Sequence, residues 1–373
     1  MQYSVLTRRW ISAAIIAIVS AQLVACANRP SASVLDPVAV NPASSRQLTV
    51  LTATNRSRDG DGYSSRRNAD PAFETFTVAI PPSHRPPKIE WPVGKPDAST
   101  DMVVSERRSL DQKQFLALAD APNKDGAVGI FVHGYNYTFQ EGLYRLAQVA
   151  ADSKTDGKPV LFSWPSQGSL AGYLADRDAA LASRDTLVWL VKSMAAKRDV
   201  KRVILFGHSI GGFLIMETLR QLKLEGRGDV LDKLVVVLAA PDIDDDLFRS
   251  QLEVVGRMRT PITLFVSKDD KALKISSFIS GEKPRAGSLN VDSPSVRDAA
   301  LRYGLRIIDI SSVKAADGVG HDRYANLAQL GPQLAQAGGG AVSVPEAGAF
   351  VFDVAASVIS SPFRFAGAVV GGR

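Results

Sequence analysis

The sequence holds a single cysteine, Cys26, in 373 residues. That excludes an intramolecular disulfide and any multi-cysteine metal site. It has no H-E-x-x-H, no P-loop and no G-x-G-x-x-G following a strand. The expected chemistry therefore needs no metal and no cofactor. Lys and Arg exceed Asp and Glu by only six, and no basic stripe carries interleaved aromatics, so nucleic acid is not an expected partner. No internal repeat is visible. Histidine is scarce as well: His84, His133, His208 and His321 complete the set, so chemistry that requires an imidazole has few places to reside.

What is present begins with an address. Arg8-Arg9 precedes an apolar run over residues 10–24, closed by Leu23-Val24-Ala25-Cys26. A basic start, a short apolar stretch and small residues before a cysteine resemble a bacterial lipoprotein signal, with residues 1–25 removed and Cys26 carrying lipid. The stretch is short for a spanning helix, which favours cleavage over an uncleaved anchor. Arg8-Arg9 also permits twin-arginine export. Ala27, rather than aspartate, follows Cys26; by resemblance to lipoprotein sorting this points to the periplasmic face of the outer membrane. Removing the signal takes away two arginines and no acid, lowering the net charge from +6 to +4. Residues 26–46, rich in Ser, Pro, Ala and Asn, read as a tether.

Residues 47–335 read as one domain. Residues 47–56 and 73–80 look like strands, with a polar surface loop between them and a proline-rich extended stretch over 83–96. Residues 115–119 fit a strand or a short helix equally. From residue 127 the pattern changes to apolar, β-branched runs at 127–132, 159–164, 203–206, 234–240, 261–266 and 305–310. Helical spacing appears between several of them, at 138–153, 178–198 and 210–220. Continuous apolar strands alternating with helices imply an α/β fold: a mostly parallel sheet covered by helices on both faces. The Gly-, Ala- and Val-rich tail, residues 336–373, is interrupted by Asp353, Pro362 and Arg364. That argues against a spanning helix. The tail is expected to pack on the domain or be partly disordered, with a membrane-surface segment as the alternative.

The chemistry gathers on Gly207-His208-Ser209-Ile210-Gly211, between an apolar strand and a helical run. Strand, G-x-S-x-G, helix is the nucleophile elbow of α/β-hydrolases, and its glycines remove side chains that a sharp turn would crowd. Ser209 is the candidate nucleophile, and the backbone N–H of Ile210 a candidate oxyanion donor. A serine needs a base and an orienter. His208 neighbours Ser209 on the turn and is rejected as the base. His84, before the sheet rhythm begins, is expected to be structural or exposed. His133 ends a strand in Val132-His133-Gly134-Tyr135-Asn136, the place of the segment supplying the second oxyanion donor. That donor is expected to be the N–H of Tyr135, with His133 in the cleft or under the loop. His321, on a glycine-rich loop after the last strand, is the candidate base. Ser267-Lys268-Asp269-Asp270 offers the acid: Asp270 is preferred, with Asp269 in reserve. Asp242 and Asp244, after the preceding strand, are a third possibility for the acid but are expected rather as helix caps. Trp164, at another strand end, is expected to line the substrate cleft.

Leu51-Thr52-Ala53-Thr54-Asn55-Arg56, Phe131-Val132-His133-Gly134-Tyr135-Asn136, Phe162-Ser163-Trp164-Pro165-Ser166, Gly207-His208-Ser209 and Ser267-Lys268-Asp269-Asp270-Lys271-Ala272-Leu273 together resemble a family of bacterial α/β-hydrolases of unknown function, esterase- and lipase-like. The resemblance runs through most of residues 47–325 and places the family's acid on Asp270. The chain departs from the pattern at Ile210, where Met is commoner; the backbone N–H is the same. The expectation is a serine hydrolase of carboxylic esters, small or lipid-derived, held at the membrane by Cys26. A catalytically silent envelope binding module, or an acyltransferase or peptidase with the same three residues, is the alternative. No long helical insertion suggests a large lid, so an open site for modest acyl chains is expected. Oligomeric state and acyl length are not legible.

Overall fold

Apolar strands buried on both faces have one stable arrangement, the middle of a helix-covered sheet. The computed structural model describes residues 29–41, 45–119, 126–153 and 157–327 and the backbone of residues 364–366. The signal over residues 1–25, Cys26 and the rest of the 336–373 tail lie outside these. The strands are β1 (Arg46–Asp59), β2 (Gly62–Ile80), β3 (Val103–Leu110), β4 (Ala127–Val132), β5 (Val160–Ser163), β6 (Arg202–His208), β7 (Leu234–Ala239), β8 (Ile262–Val266), β9 (Leu305–Asp309) and β10 (Arg364–Ala366). They form one sheet in the order β10-β9-β8-β7-β6-β4-β5-β1-β2-β3. From β9 to β1 every neighbour is parallel; β2, β3 and β10 add antiparallel edges.

The helices are α1 (Gln112–Ala119), α2 (Phe139–Asp152), α3 (Tyr173–Ala182), α4 (Arg184–Ala195), α5 (Ile210–Leu224), α6 (Gly228–Leu231), α7 (Asp245–Val255), α8 (Lys271–Ile279), α9 (Pro294–Tyr303) and α10 (Arg323–Leu327). On one face Leu187, Val191, Leu214 and Leu219 pack on Val203 and Leu205. On the other, Leu143, Tyr144, Leu146 and Tyr324 pack on Phe131 and Phe206. Thr138 starts α2 with a reciprocal capping box to Glu141, which satisfies two backbone donors that the helix leaves open.

Three expectations and one missed strand need correction, and one open choice is settled. Residues 56–70 are not a loop: β1 and β2 continue through them as a hairpin closed at Asp59↔Gly62. Its polar side chains read as loop because that ribbon is largely exposed. β3 carries a charged, alternating sequence that gave no apolar signal. The single helix over 178–198 is two, broken at Ser183, whose Oγ donates to the Ala179 carbonyl at 2.7 Å and accepts from Asn55 Nδ2 at 2.9 Å. Such side-chain-to-backbone bonds compete with the helix ladder. Residues 115–119 belong to helix α1.

The fourth correction concerns the tether. Residues 29–41 are not a free tether: Val34 and Leu35 are buried, and a 3-10 turn spans Ala32–Leu35. Tyr144 donates to the Val34 carbonyl at 2.7 Å and Gln140 Nε2 to the Pro30 carbonyl at 2.9 Å. The stretch is polar in composition, but its two large apolar side chains find a groove beside α2.

Candidate active site

Ser209 sits between β6 and α5 at φ 55°, ψ −123°, a backbone conformation that costs a non-glycine residue free energy and persists only where its surroundings enforce it. The flanking glycines show the enforcement. A Cβ on Gly207 would meet the Gly211 carbonyl oxygen at 2.8 Å, and one on Gly211 would meet the His133 carbonyl oxygen at 2.6 Å. The Ser209 N–H is tied to the Ala239 carbonyl at 3.0 Å. Of the first N–H groups of α5, that of Gly212 donates to the Ser209 carbonyl at 2.9 Å; those of Ile210 and Gly211 lie in the opening turn, where a helix offers no acceptor of its own.

The sheet order explains why the turn faces an opening. The chain passes from β4 to β5 on one side, then crosses to β6 on the other. Loops leaving β4 and β6 diverge, and the crevice between them is where ligands bind in open α/β sheets. The β4 loop lies against the serine: a Cβ on Gly134 would be 3.0 Å from Ser209 Cβ. Gly134, which precedes Tyr135, is thus beside Ser209.

Polar groups that the sequence reading did not single out hold this loop. Asp176, buried on α3, accepts from the Asn136 N–H at 3.2 Å, the Gln167 N–H at 2.6 Å and Ser166 Oγ; burial raises its pKa against those bonds. Arg56, also buried, donates to Ser163 Oγ at 3.0 Å and to the carbonyls of Ser166 at 3.0 Å and Tyr137 at 2.8 Å. Each of these two residues joins the β4 loop to the β5 loop. Arg56 was visible only as part of the family resemblance; Asp176 had no sequence signal.

His133 and Trp164 do not line the cleft, and that expectation is corrected. Both are fully buried. Trp164 Nε1 donates to the His133 carbonyl at 2.9 Å, and the two rings stack at 4.9 Å. Burial, with the Arg56 charge, pulls the His133 pKa down to about 3. A neutral ring and an indole form the floor beneath the loop.

Asp270 and His321 come together from loops 51 positions apart: His321 Nδ1 lies 2.7 Å from Asp270 Oδ2. The other Asp270 oxygen accepts the Leu273 N–H at 3.0 Å, capping α8. Burial depresses the His321 pKa, but the hydrogen bond and charge of Asp270, with Asp322 and Asp242 behind it, outweigh burial and raise it to about 9. Asp317 cradles the loop, accepting the N–H groups of Gly320, His321 and Asp322 at 2.7–3.1 Å; this too was missed. Asp269 turns away to Arg323 Nη2 at 2.7 Å. Asp244 caps α7. Asp242 does not: it is buried against Arg285, Nε at 3.2 Å, with hydroxyl bonds from Tyr173 and Ser276.

The rejected His208 packs its ring on those of His321 and Tyr324, each at 4.6 Å. Burial, then the His321 and Arg145 charges, hold its pKa well below the usual value. His84 bridges Glu90 and Asp152, at 2.8 Å to each, as an internal tie. A cleft of about 670 Å³ opens over His208 and His321, walled by Tyr135, Tyr137, Trp91, Leu170 and Val319 among others.

A parallel sheet with this order and a strained serine turn at the end of β6 defines an α/β-hydrolase. The chain belongs to the DUF900 family of alpha/beta hydrolases of unknown function, whose model matches residues 111–337. An uncharacterized protein of Nostoc sp. (strain PCC 7120) is 33% identical over 63 residues, a match spanning 17% of this chain and 16% of that protein. Solved structures that are similar include a protein of Lactobacillus plantarum WCFS1 provisionally named a carboxylesterase (14% identity, 78% of this chain and 98% of that one, TM-score 0.34). Esterase Est22 matches at 14% identity (68% and 71%, TM-score 0.30). An esterase of Thermogutta terrifontis matches at 10% identity (62% and 80%, TM-score 0.26).

Proposed function

We propose that the protein is a serine hydrolase of carboxylic esters. The observation that carries this reading is Ser209 held at φ 55° next to His208, whose ring packs at 4.6 Å on His321, an imidazole whose Nδ1 is bonded to a buried carboxylate at 2.7 Å. In the reaction His321 Nε2 takes the Ser209 hydroxyl proton as Oγ bonds to the ester carbonyl carbon. The N–H groups of Tyr135 and Ile210 hold the oxyanion. The carbon–alkoxide bond then breaks, and His321 returns the proton to the leaving alcohol. Water, deprotonated by His321, attacks the acyl carbon; the Ser209 ester breaks and Oγ regains its proton. Asp270 fixes the tautomer that leaves Nε2 free for this work and stabilises the imidazolium.

The test is labelling of the intact protein with a fluorophosphonate, with the site read by peptide mass spectrometry. Label is expected on Ser209, absent in Ser209→Ala and strongly reduced in His321→Ala. A folded protein that takes no label, or takes it elsewhere, would overturn the reading and leave a silent hydrolase fold.

A further inference from the structure

We infer that the cleft faces a lipid bilayer and takes its acyl ester from that surface. The inference rests on the ester-hydrolase reading for its chemistry and on the sequence expectation that Cys26 carries lipid for its anchor; the orientation comes from the structure.

Arg29 is built into the wall of the cleft that contains His321. Its Nε donates to Glu141 Oε1 at 2.8 Å, Nη1 to Asn136 Oδ1 at 3.0 Å, and the guanidinium also reaches the Asn136 and Gly168 carbonyls. Asn136 is on the loop that carries Tyr135. Three residue steps separate Arg29 from Cys26, a reach of at most about 10 Å. Downstream of Arg29 the chain is packed on α2, so no slack is stored there. A lipid on Cys26 therefore holds the mouth of the cleft, and not some other face, at the membrane.

The rim of that mouth is suited to the contact. Among the described residues ten large apolar side chains are exposed; Leu170 and Val319 line the cleft, and four more lie on α3 and α8, the helices that follow Leu170 and carry Ala272 of the cleft wall. Leu170 lies in the 3-10 turn before α3 and Leu174 in its first turn, Ile275, Phe278 and Ile279 on α8, and Val319 on the His321 loop; Phe278 is 74% exposed and Leu174 68%. Ala272 of α8 lines the cleft, and Ile275 and Ile279 follow it at helical spacing on one face. The two sides of the rim are bound together, since Tyr173 and Ser276 both bond to Asp242, at 3.0 and 2.7 Å. Lys271 and Lys274 on α8 and Lys88 at the cleft are exposed, placing cations where anionic headgroups would lie. No helix among the described residues is long and apolar enough to cross a membrane, so the contact is one of lying on the surface. The substrate class is an amphiphile whose ester sits at the headgroup–acyl boundary.

The experiment uses the full chain, processed from its own N-terminus and reconstituted in phosphatidylethanolamine–phosphatidylglycerol vesicles. A nitrobenzoxadiazole label is placed at Phe278→Cys and, separately, at Leu224→Cys, which is 60% exposed at the far end of α5. Headgroup-proximal doxyl phospholipid is expected to quench the first label at least about threefold more than the second, since Leu224 lies at the far end of a 15-residue helix, roughly 20 Å from the Ser209 turn. Equal quenching, none at either position, or more at 224 would overturn the orientation. A second arm compares a short water-soluble ester with a long-chain ester embedded in the vesicles. In the double variant Ile275→Ser, Phe278→Ser the embedded-to-soluble turnover ratio should fall about tenfold; an unchanged ratio overturns the surface-feeding role. If the wild type hydrolyses neither ester, the hydrolase reading fails, while the quenching comparison still decides the orientation.

Discussion

The two loops that meet at the cleft are held by different physics. The Ser209 turn is enforced by contact: positive φ, glycines with no room for a Cβ, and apolar packing on both sides of β6. The His321 loop is enforced by charge. Asp317 gathers three N–H groups, Asp270 takes the ring, and Arg323 ties the loop base to Asp269 and to the Ser311 carbonyl at 2.9 Å. A turn held by sterics is written locally in the sequence and is insensitive to pH. A loop held by carboxylates is assembled from distant residues and responds to every proton.

The sharpest separation of the two is Asp270→Asn. Asparagine still offers an oxygen to the Leu273 N–H, so α8 stays capped, and above about pH 9, where the imidazole is neutral, thermal unfolding should barely move. The imidazole loses its partner, and kcat on a short ester is expected to fall on the order of 10⁴-fold. A melting temperature that collapses with the activity would make Asp270 structural. Next in size is the pH profile. With the His321 pKa raised to about 9, the free imidazole is protonated at neutral pH, so kcat/KM should climb about tenfold per pH unit and level near that value. The same shift has the opposite sign for stability. A raised folded pKa contributes stability fully below the unfolded value of about 6.5 and loses it as pH passes the folded one. An inflection below pH 7 would break this assignment.

Gly211→Ala tests the steric side. Its methyl must displace backbone carbonyls of Val132 and His133, and a loss on the order of 3 kcal/mol is expected in denaturant unfolding at any pH. A loss that varied with pH would blur the contrast between the loops. Asp317→Asn loosens the other loop through its backbone bonds and leaves the Asp270 and His321 side chains in place. Catalysis should drop about 10- to 100-fold through misplacement of the base, with the labelled residue unchanged. Smallest is His84→Gln. The Glu90 and Asp152 bonds raise the His84 pKa against its burial, so wild type should exceed the variant by about 1–2 kcal/mol below pH 6.5. That margin should shrink as pH rises through the raised value, measured as paired urea melts.

How far the sequence was legible follows the same division. The elbow could be read because strand, glycine spacing and helix are neighbours, and each residue type answers a local steric demand. The parallel sheet could be read because strands buried on both faces must be apolar throughout. The pairing of Asp270 with His321 was expected from chain order and the resemblance. Trp164 was misplaced because a residue at a strand's C-terminal end can point into the cleft or under it, and only the tier of His133 above it decides. The hairpin through residues 56–70 was missed because its outer face is polar. Ser183 broke a helix whose apolar spacing continued across it.

What the sequence determined by itself is the part with short-range causes: the alternation that makes a covered sheet, the strained turn that carries Ser209, and the small stock of imidazoles from which a base can come. Only the tertiary structure decided which groups hold those pieces in place. Arg56, Asp176 and Asp317 act by filling hydrogen bonds of loops remote in the chain, and residues 29–41 changed from a tether to a packed segment because α2 offered Val34 and Leu35 a groove. Burial gives such contacts their worth, and burial is a property of the assembled molecule.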